Sequence, residues 1–185
     1  MSGHSKWSQI KRQKGVTDAA RSRTFSRFAR MITIEAKKSG GNLTSPSLSS
    51  AIARAKEVNM PKDNIERAIA KGASKDTVDL DAVAYEFYGP GGIAIIATAL
   101  TDSKNRTTQE IKHLLSKNGF ELGTPGSAMW AFTKSPAGEL SPNEPLMNIS
   151  GADEISLTHI LQLLDEHDDV QEVVTNAEGY ESTGE

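Results

Sequence analysis

The chain has 185 residues, of which 37% are hydrophobic, 24% are charged and 5% are aromatic, a composition typical of one or two small globular domains with aliphatic cores. It contains no cysteine, which excludes disulfides, thiolate metal sites, iron–sulfur clusters and cysteine nucleophiles. Its longest nearly apolar run, Gly91 to Leu100, is far shorter than the roughly 18–20 residues of a membrane helix.

The net charge of −3 conceals a strong division of charge along the chain. Residues 1–75 carry 16 Lys and Arg against 5 Asp and Glu, whereas residues 76–185 carry 5 against 19. The front part therefore has a net charge of +11 and the rear part a net charge of −14. This separation predicts a basic surface for a polyanion and an acidic body that keeps the whole chain in solution.

Residues 1–75 have the pattern of a helical domain. Apolar periodicity and helix-end signals predict three helices: Asp18–Ser39, Ser45 to about Asn59, and Lys62–Lys71. Asp18 is a candidate N-cap, and Gly40 and Gly41 are expected to end the first helix. Pro46 suits the first position of the second helix, and we expect Gly72 to stop the third.

Residues 76–185 alternate between strand and helix patterns. We predict these elements in chain order: strands at Tyr85–Tyr88 and Ile93–Leu100, a helix at Asn105–Asn118, a strand at Ala128–Phe132, a helix around Leu157–Leu164 and a strand at Val170–Val174. Gly89–Gly92 is read as a tight turn, Gly123–Ser127 as a hairpin loop, and the proline-rich stretch Thr133–Glu154 as a long loop. The predicted fold class is α+β, an N-terminal three-helix domain followed by a small α/β sandwich domain with an antiparallel or mixed sheet.

The first 38 residues hold the candidate binding site. Ten basic side chains lie there against two acidic ones: Lys6, Lys11, Arg12, Lys14, Arg21, Arg23, Arg27, Arg30, Lys37 and Lys38. A solvated helix face usually carries acidic partners at i±4 spacing, and this segment has almost none, which favours phosphate contacts with a nucleic acid. Trp7, beside Lys6, suits either stacking on a base or anchoring the N-terminal segment to the helical bundle.

The sequence gives no sign of catalysis or of a cofactor. The Gly-rich segments match neither a dinucleotide fingerprint nor a phosphate loop, and no nucleophile, base and orienting group can be assembled. The histidines at 4, 113, 159 and 167 have no metal-ligand spacing, and the acidic run Asp165–Asp169 lacks the pattern of a calcium loop. We therefore expect a protein that is not an enzyme and that has no cofactor, no metal site, no small-molecule substrate and no membrane partner.

Several long motifs resemble those of the YebC/PmpR family, which includes the mitochondrial translational activator of cytochrome oxidase. The two longest are Met1-Ser2-Gly3-His4-Ser5-Lys6-Trp7 and Asn59-Met60-Pro61-Lys62-Asp63-Asn64-Ile65-Glu66-Arg67-Ala68-Ile69. Shorter matches are Tyr85-Glu86, Tyr88-Gly89-Pro90-Gly91-Gly92, Asn105-Arg106-Thr107, Leu122-Gly123, Gly126-Ser127 and Asp168-Asp169-Val170-Gln171. Together they cover nearly the whole chain.

The resemblance implies a non-enzymatic protein with a helical domain followed by two α+β domains, the third inserted within the second. Here only residues 133–154 stand where the inserted domain would be, so we predict a short member with two domains. These are a basic helical nucleic-acid-binding domain at 1–75 and an acidic α+β domain at 76–185.

The resemblance also implies a function in gene expression. The first hypothesis is a ribosome-associated translation factor that grips ribosomal RNA and helps relieve stalling at proline-rich segments. The alternative is a DNA-binding transcriptional regulatory protein that uses the same basic surface. Because the family motif begins at Met1, we expect a cytoplasmic location rather than a mitochondrial presequence.

Overall fold

The computed structural model describes residues 6–7, 9–10, 18–74, 79–136 and 138–182. It divides into two compact units, one formed by residues 16–80 and the other by residues 81–185 together with the N-terminal segment up to residue 15. The predicted boundary after residue 75 lies outside the described residues, and the predicted domain extents stay a prediction. Within the described residues, no helix is long and apolar enough to cross a membrane.

The helical unit contains α1 (Asp18–Ser39), α2 (Pro46–Glu57) and α3 (Lys62–Ala73). As predicted, α1 ends at a glycine pair: Gly40 and Gly41 both have positive φ, and the Gly41 amide donates to the Ala36 carbonyl at 2.7 Å. The helices bury an aliphatic seam formed by Ile32, Ala36, Leu48, Ala51, Ala55, Met60, Ile65 and Ala68. The predicted helical domain is therefore present in this part of the chain.

The prediction that Gly72 stops α3 is wrong, because the helix continues through Gly72 to Ala73. Gly72 is buried at the contact with α1, where a β-carbon would lie 2.3 Å from the Thr33 carbonyl oxygen. Near the same crossing, the Thr33 hydroxyl donates to the Ala68 carbonyl at 3.2 Å. The glycine thus permits close approach of two helices and does not end one.

The second unit is built on a three-stranded antiparallel sheet. Its elements are β1 (Asp81–Tyr88), β2 (Ala94–Thr101), α4 (Lys104–Lys117), β3 (Phe132–Lys134), β4 (Leu140–Pro142), α5 (Gly151–Glu166) and β5 (Val170–Thr175). The strand order is β1-β2-β5, and a separate hairpin pairs β3 with β4. The predicted α+β class and antiparallel sheet are confirmed.

Both faces of the central strand β2 are covered, which explains its almost continuous apolar sequence. Ile95 and Ala97 belong to the cluster that includes Leu115 of α4 and Leu161 of α5. The alternate residue Ile96 belongs to a second cluster with Phe132 of the hairpin. The helices therefore lie on one face of the sheet and the hairpin covers the other.

Three predictions for this unit need correction. Residues 129–131 of the predicted strand Ala128–Phe132 form a short 3-10 helix, and β3 starts only at Phe132 and pairs with β4 outside the main sheet. Gly123–Ser127 is not a hairpin loop; the Gly126 amide and the amides of Ala128 and Met129 donate hydrogen bonds to the carboxylate of Glu86 on β1. The stretch Thr133–Glu154 is not a single loop, because it contains β4 and the first turn of α5. A short apolar run in a sequence does not distinguish a strand from a helix, because the outcome depends on the segments it packs against. In this unit those segments are distant in sequence.

Candidate nucleic-acid interface

Helix α1 arranges four of the predicted cations along one stripe. Arg23, Arg27, Arg30 and Lys38 recur at intervals of four, three and eight residues, which keeps them on one side of a helix. At about 100° per residue they lie opposite the buried Ile32 and Ala36, and at a rise of 1.5 Å per residue they span about 22 Å. We call these four residues the α1 stripe. The apolar seam on the other side therefore fixes the direction in which the charges point.

The remaining predicted cations of α1 are Arg21 and Lys37. Both are exposed, as is Lys38, whereas Arg23, Arg27 and Arg30 are partly buried. At about 100° per residue, Arg21 falls outside the stripe. The cations are therefore gathered mainly, but not entirely, on one side of the helix.

Ion pairs with acidic residues of the same unit partly neutralise the C-terminal end of α1. Lys38 Nζ lies 2.7 Å from Glu35 Oε1, and Lys37 pairs with Asp79. Burial raises the pKa of Glu35, but hydrogen bonds from Lys38 and Ser47 outweigh burial and hold that pKa below the usual value. Arg27 and Arg30 also take part in further interactions.

The two described residues of the N-terminal part of the predicted site, Lys6 and Trp7, belong to the α+β unit. Lys11, Arg12 and Lys14 fall outside the described residues. Trp7 belongs to the core of the α+β unit with only 2% of its surface exposed, and its backbone amide donates to the Gly179 carbonyl at 3.2 Å. Lys6 Nζ forms a 2.7 Å ion pair with Glu154 of the same unit.

These contacts correct the assignment of Trp7, whereas that of Lys6 stays a prediction. With its ring buried, Trp7 cannot stack on a base in this conformation, and it anchors the N-terminal segment to the α+β unit rather than to the bundle. Lys6 donates a hydrogen bond to the Glu154 carboxylate of the acidic unit, and this hydrogen bond raises the pKa of the Lys6 ammonium. A tryptophan ring is commonly buried against other apolar groups. The sequence did not reveal which groups bury Trp7, because the residues around Gly179 are far from it along the chain.

A second polar cluster joins the start of α4 to the start of β5. Asp169, which is buried, accepts hydrogen bonds from Thr107 Oγ1 at 2.7 Å and Arg106 Nη2 at 2.9 Å. Arg106 also pairs with Glu110, which lies 3.2 Å from His167 Nε2. Hydrogen bonding to Asp102 and the charge of Asp169 raise the pKa of Arg106.

Glu110, His167 and Asp169 could offer ligand atoms to a metal ion, since these atoms lie within 4.8 Å of one another. The Arg106 guanidinium, however, already contacts both carboxylates and provides the cation that they require. We therefore interpret this cluster as an ion-pair network that fastens α4 to β5.

Sequence reasoning did not identify an exposed aromatic pair, Tyr88 and Trp130. Tyr88 ends β1 and Trp130 lies in the 3-10 helix before β3. Trp130 Nε1 donates a 2.7 Å hydrogen bond to Tyr88 Oη, and Tyr88 Oη donates to the Ser127 carbonyl at 2.6 Å. The two residues are 42 positions apart in sequence, and no local pattern connects them.

Comparison with known families covers most of the chain. A family model described as the TACO1/YebC protein N-terminal domain matches residues 5–75, and one described as the TACO1/YebC second and third domain matches residues 80–144. These matches include α1 and its stripe as well as the segment with Tyr88 and Trp130.

The chain is also similar to individual proteins. It is 42% identical over 194 residues to a probable transcriptional regulatory protein from Thermotoga maritima, covering 98% of this chain and 77% of the relative. It is 44% identical over 165 residues to the probable transcriptional regulatory protein HRM2_04000 from Desulforapulum autotrophicum, covering 84% of this chain and 67% of the relative. A third, from Fervidobacterium nodosum, is 44% identical over 162 residues, covering 86% of this chain and 63% of the relative. The chain spans about two thirds of the length of the last two relatives.

Among solved structures, the chain resembles the crystal structure of a conserved hypothetical protein, Aq1575, from Aquifex aeolicus. The TM-score is 0.74 at 29% sequence identity, with 87% of this chain and 91% of the other covered.

Proposed function

This chain belongs to the TACO1/YebC family, and from that premise we propose that it regulates gene expression by binding nucleic acid through the α1 stripe, without catalysis. The observation that carries the proposal is the stripe itself, in which Arg23, Arg27, Arg30 and Lys38 lie opposite the apolar seam of the helical unit. Cations held on a packed helix release condensed counterions when they meet phosphates, which gives affinity without requiring base contacts.

The target that the comparisons favour is DNA. The relatives from Thermotoga maritima and Desulforapulum autotrophicum are named probable transcriptional regulatory proteins. Under this proposal the chain is a transcriptional regulator that docks α1 against the phosphates of a duplex. Its cytoplasmic location and its lack of a cofactor stay predictions.

Salt dependence tests the proposed interface. If about five phosphates of a duplex are neutralised, the slope of log K against log salt is expected near −4 to −5. Replacing Arg23, Arg27 and Arg30 by alanine should reduce that slope by up to about three units. A matched variant that replaces three exposed cations of the other helices, Arg54, Lys56 and Arg67, should change it less. Equal slopes in the wild type and the α1 variant would remove the stripe from the interface.

One feature of α1 favours a second candidate, a ribosome-associated translation factor that relieves stalling at proline-rich segments. The helix contains no Asn or Gln, the residues that read adenine in the major groove. Its Arg and Lys side chains can contact guanine as well as phosphates, so α1 suits phosphate contact and recognition of shape more than the readout of a mixed base sequence. A-form RNA is recognised largely in that way.

Two measurements separate the candidates. A regulator of specific promoters binds its promoter fragment better than scrambled DNA at physiological salt, and a translation factor sediments with ribosomes at low and moderate salt. Replacing Arg23, Arg27 and Arg30 by alanine should weaken whichever binding occurs. Absence from the ribosome pellet at both salt concentrations would rule out the translation candidate, and equal binding to scrambled DNA would rule out promoter-specific control.

A further inference from the structure

The α+β unit exposes two large aromatic side chains that contact each other. Trp130 is 66% exposed and Tyr88 is 42% exposed. The indole nitrogen of Trp130 donates to Tyr88 Oη at 2.7 Å, and that hydroxyl donates to the Ser127 carbonyl at 2.6 Å. We call Tyr88 and Trp130 the aromatic pair. Because tyrosine and tryptophan are enriched at protein interfaces, the pair marks a surface for a partner.

The backbone that carries Trp130 is held on two sides. Glu86, only 5% exposed, accepts hydrogen bonds from three backbone amides of residues 126–129. Asn143 Nδ2 donates to the Trp130 carbonyl at 3.0 Å. A surface that is ordered before binding loses less conformational entropy when a partner arrives.

The exposed surface of Trp130 includes a face of its ring. The one hydrogen-bond donor of the indole is engaged by Tyr88, so the edge that carries the nitrogen is turned toward that residue. The flat faces make up most of the surface of an indole, and the remaining edges are too small to account for 66% exposure of the residue. The face of an aromatic ring carries the negative part of its quadrupole and attracts cations.

A carboxylate lies beside Tyr88. An antiparallel bridge joins Phe87 to Leu122. This bridge brings their chain neighbours Tyr88 and Glu121 opposite each other. Since successive side chains of a strand point to opposite faces, Tyr88 and Glu121 share the face of the sheet that Phe87 does not use. Glu121 is exposed, so it adds a negative charge to the surface of the aromatic pair.

A second carboxylate adjoins the segment of Trp130. Besides its side-chain contact with Trp130, Asn143 donates its backbone amide to the Ala131 carbonyl at 2.9 Å. Asn143 therefore runs alongside residues 130–131. The next residue, Glu144, is exposed. The aromatic pair thus has an acidic neighbour on each side.

The charge of the wider surroundings favours a cationic partner. Residues 76–185 have a net charge of −14, which repels a phosphate-bearing partner and attracts a basic one. The cation of the hairpin, Lys134, extends toward its closed end, where Lys134 Cε lies 3.8 Å from the position of a β-carbon on Gly138. Trp130 precedes the open end of the same hairpin.

We infer that the aromatic pair, together with Glu121 and Glu144, is a docking site for an arginine-rich segment of a protein partner. The planar guanidinium of arginine stacks on aromatic faces and forms bidentate hydrogen bonds with carboxylates, so it matches both features of this surface. The lysine ammonium is a strongly hydrated point charge and matches only the carboxylates. The inference goes beyond the proposed function, because it assigns a basic protein partner to the α+β unit while the α1 stripe binds a polyanion.

Tryptophan fluorescence of the full chain, free of nucleic acid, tests the inference. The chain has two tryptophans, and the difference between the wild type and Trp130→Phe isolates the signal of Trp130 from that of the buried Trp7. The probe is an oligoarginine peptide of about nine residues, compared with oligolysine of the same length. Oligoarginine should change the emission of Trp130 and should bind at least about 3-fold more tightly than oligolysine.

Anisotropy of the labelled oligoarginine gives the second readout. Trp130→Ala should weaken its binding by about 2- to 30-fold, and Trp130→Phe, which keeps a ring, should weaken it less. The double variant Glu121→Gln/Glu144→Gln should weaken it by about 2- to 10-fold. The matched control Glu166→Gln/Glu178→Gln removes the same charge from exposed positions elsewhere on the unit and should change binding by less than about 2-fold. Far-ultraviolet circular dichroism checks that each variant folds.

The other outcomes overturn the inference. If Trp130→Ala binds oligoarginine as the wild type does, or if oligolysine binds equally well, the acidic unit attracts cations without using the aromatic pair. If a single-stranded RNA changes the emission of Trp130 and oligoarginine does not, the surface binds a nucleic acid. If sedimentation shows self-association of the wild type that is lost in Trp130→Ala, the partner is a second copy of this chain. None of these results affects the α1 interface, which the salt dependence of the α1 variant tests separately.

Discussion

Gly72 of α3 lies so close to Thr33 of α1 that a β-carbon on the glycine would stand 2.3 Å from the Thr33 carbonyl oxygen. The same β-carbon would lie 2.7 Å from Ala36 Cβ. Both obstacles belong to rigid parts of a helix, so neither can move aside as a long side chain could. The packing of the helical unit thus depends on the absence of a side chain at this position.

The first prediction is that Gly72→Ala destabilises the helical unit. Helix propensity alone would make this substitution stabilising by about 1 kcal/mol. Overpacking against Thr33 and Ala36 should outweigh propensity and lower the free energy of unfolding by about 1–3 kcal/mol. Urea denaturation followed by circular dichroism measures the change, and a variant more stable than the wild type would contradict the packing described here.

The second prediction concerns the buried carboxylate of Glu86. Glu86→Gln replaces an acceptor of three backbone amides by a side chain whose NH2 group cannot accept, so at least one amide loses its partner. The free energy of unfolding should fall by about 1–3 kcal/mol. Because the same amides hold the Trp130 segment, the anisotropy of Trp130 fluorescence should also fall.

Glu121→Gln is the matched control for that change, since Glu121 is exposed and precedes the same loop. It should leave the stability of the protein within about 0.5 kcal/mol of the wild type. Equal effects of the two substitutions would mean that loss of negative charge, rather than loss of the amide contacts, is responsible.

The sequence was most informative where structure depends on near neighbours. The C-terminal end of α1 and the start of α2 follow from the glycines at 40 and 41 and from Pro46, and the structure places these helix ends as predicted. Asp18, predicted as the N-cap of α1, lies in the first turn of the helix instead. Gly72 shows where this reasoning stops, because a glycine can end a helix or admit a neighbouring one. The distinction depends on Thr33, which lies in another helix.

In the candidate site too, some features were predictable from neighbouring residues and others depend on distant segments of the chain. The charge on α1 and its direction were predictable from helical periodicity against the apolar seam. The location of Trp7 was not, because its partner Gly179 comes from the other end of the chain. Nor was the pairing of Tyr88 with Trp130, which requires the turn after β1 and the segment before β3 to be brought together by the sheet.

The third prediction concerns the ion pair between Lys6 and Glu154. The hydrogen bond from Lys6, assisted by one from Tyr180, lowers the pKa of the Glu154 carboxyl below its ordinary 4.5. A carboxyl whose pKa is lower in the folded than in the unfolded protein stabilises the fold at pH values above its ordinary pKa. This contribution is lost as the pH falls through the folded-state pKa. The pKa of Lys6 is raised above its ordinary 10.5, so its contribution to stability is fully present at pH values below 10.5. Both groups are therefore charged, and the ion pair is intact, across the neutral pH range.

Removing the lysine should therefore change the titration of its partner. In Lys6→Met, the pKa of Glu154 should rise toward 4.5, which carboxyl carbon chemical shifts in a nuclear magnetic resonance titration would record. The control Lys112→Met removes an exposed cation of α4 and should leave the titration of Glu154 unchanged. An unaltered pKa in Lys6→Met would show that the N-terminal segment does not rest on α5 in solution.

The fourth prediction is that Trp7 stabilises the α+β unit and not the helical unit to which its sequence position assigns it. Trp7→Ala removes a ring that is only 2% exposed and should cost about 3–5 kcal/mol in the unit that holds it. Hydrogen exchange should therefore accelerate in α5 and in the segment around Tyr180, both of which share a cluster with Trp7, while α1 keeps its protection. Trp130→Ala, which removes an exposed tryptophan from the same unit, should leave exchange in α5 near the wild-type rate. Faster exchange in α1 than in α5 for Trp7→Ala would place the anchor on the bundle instead.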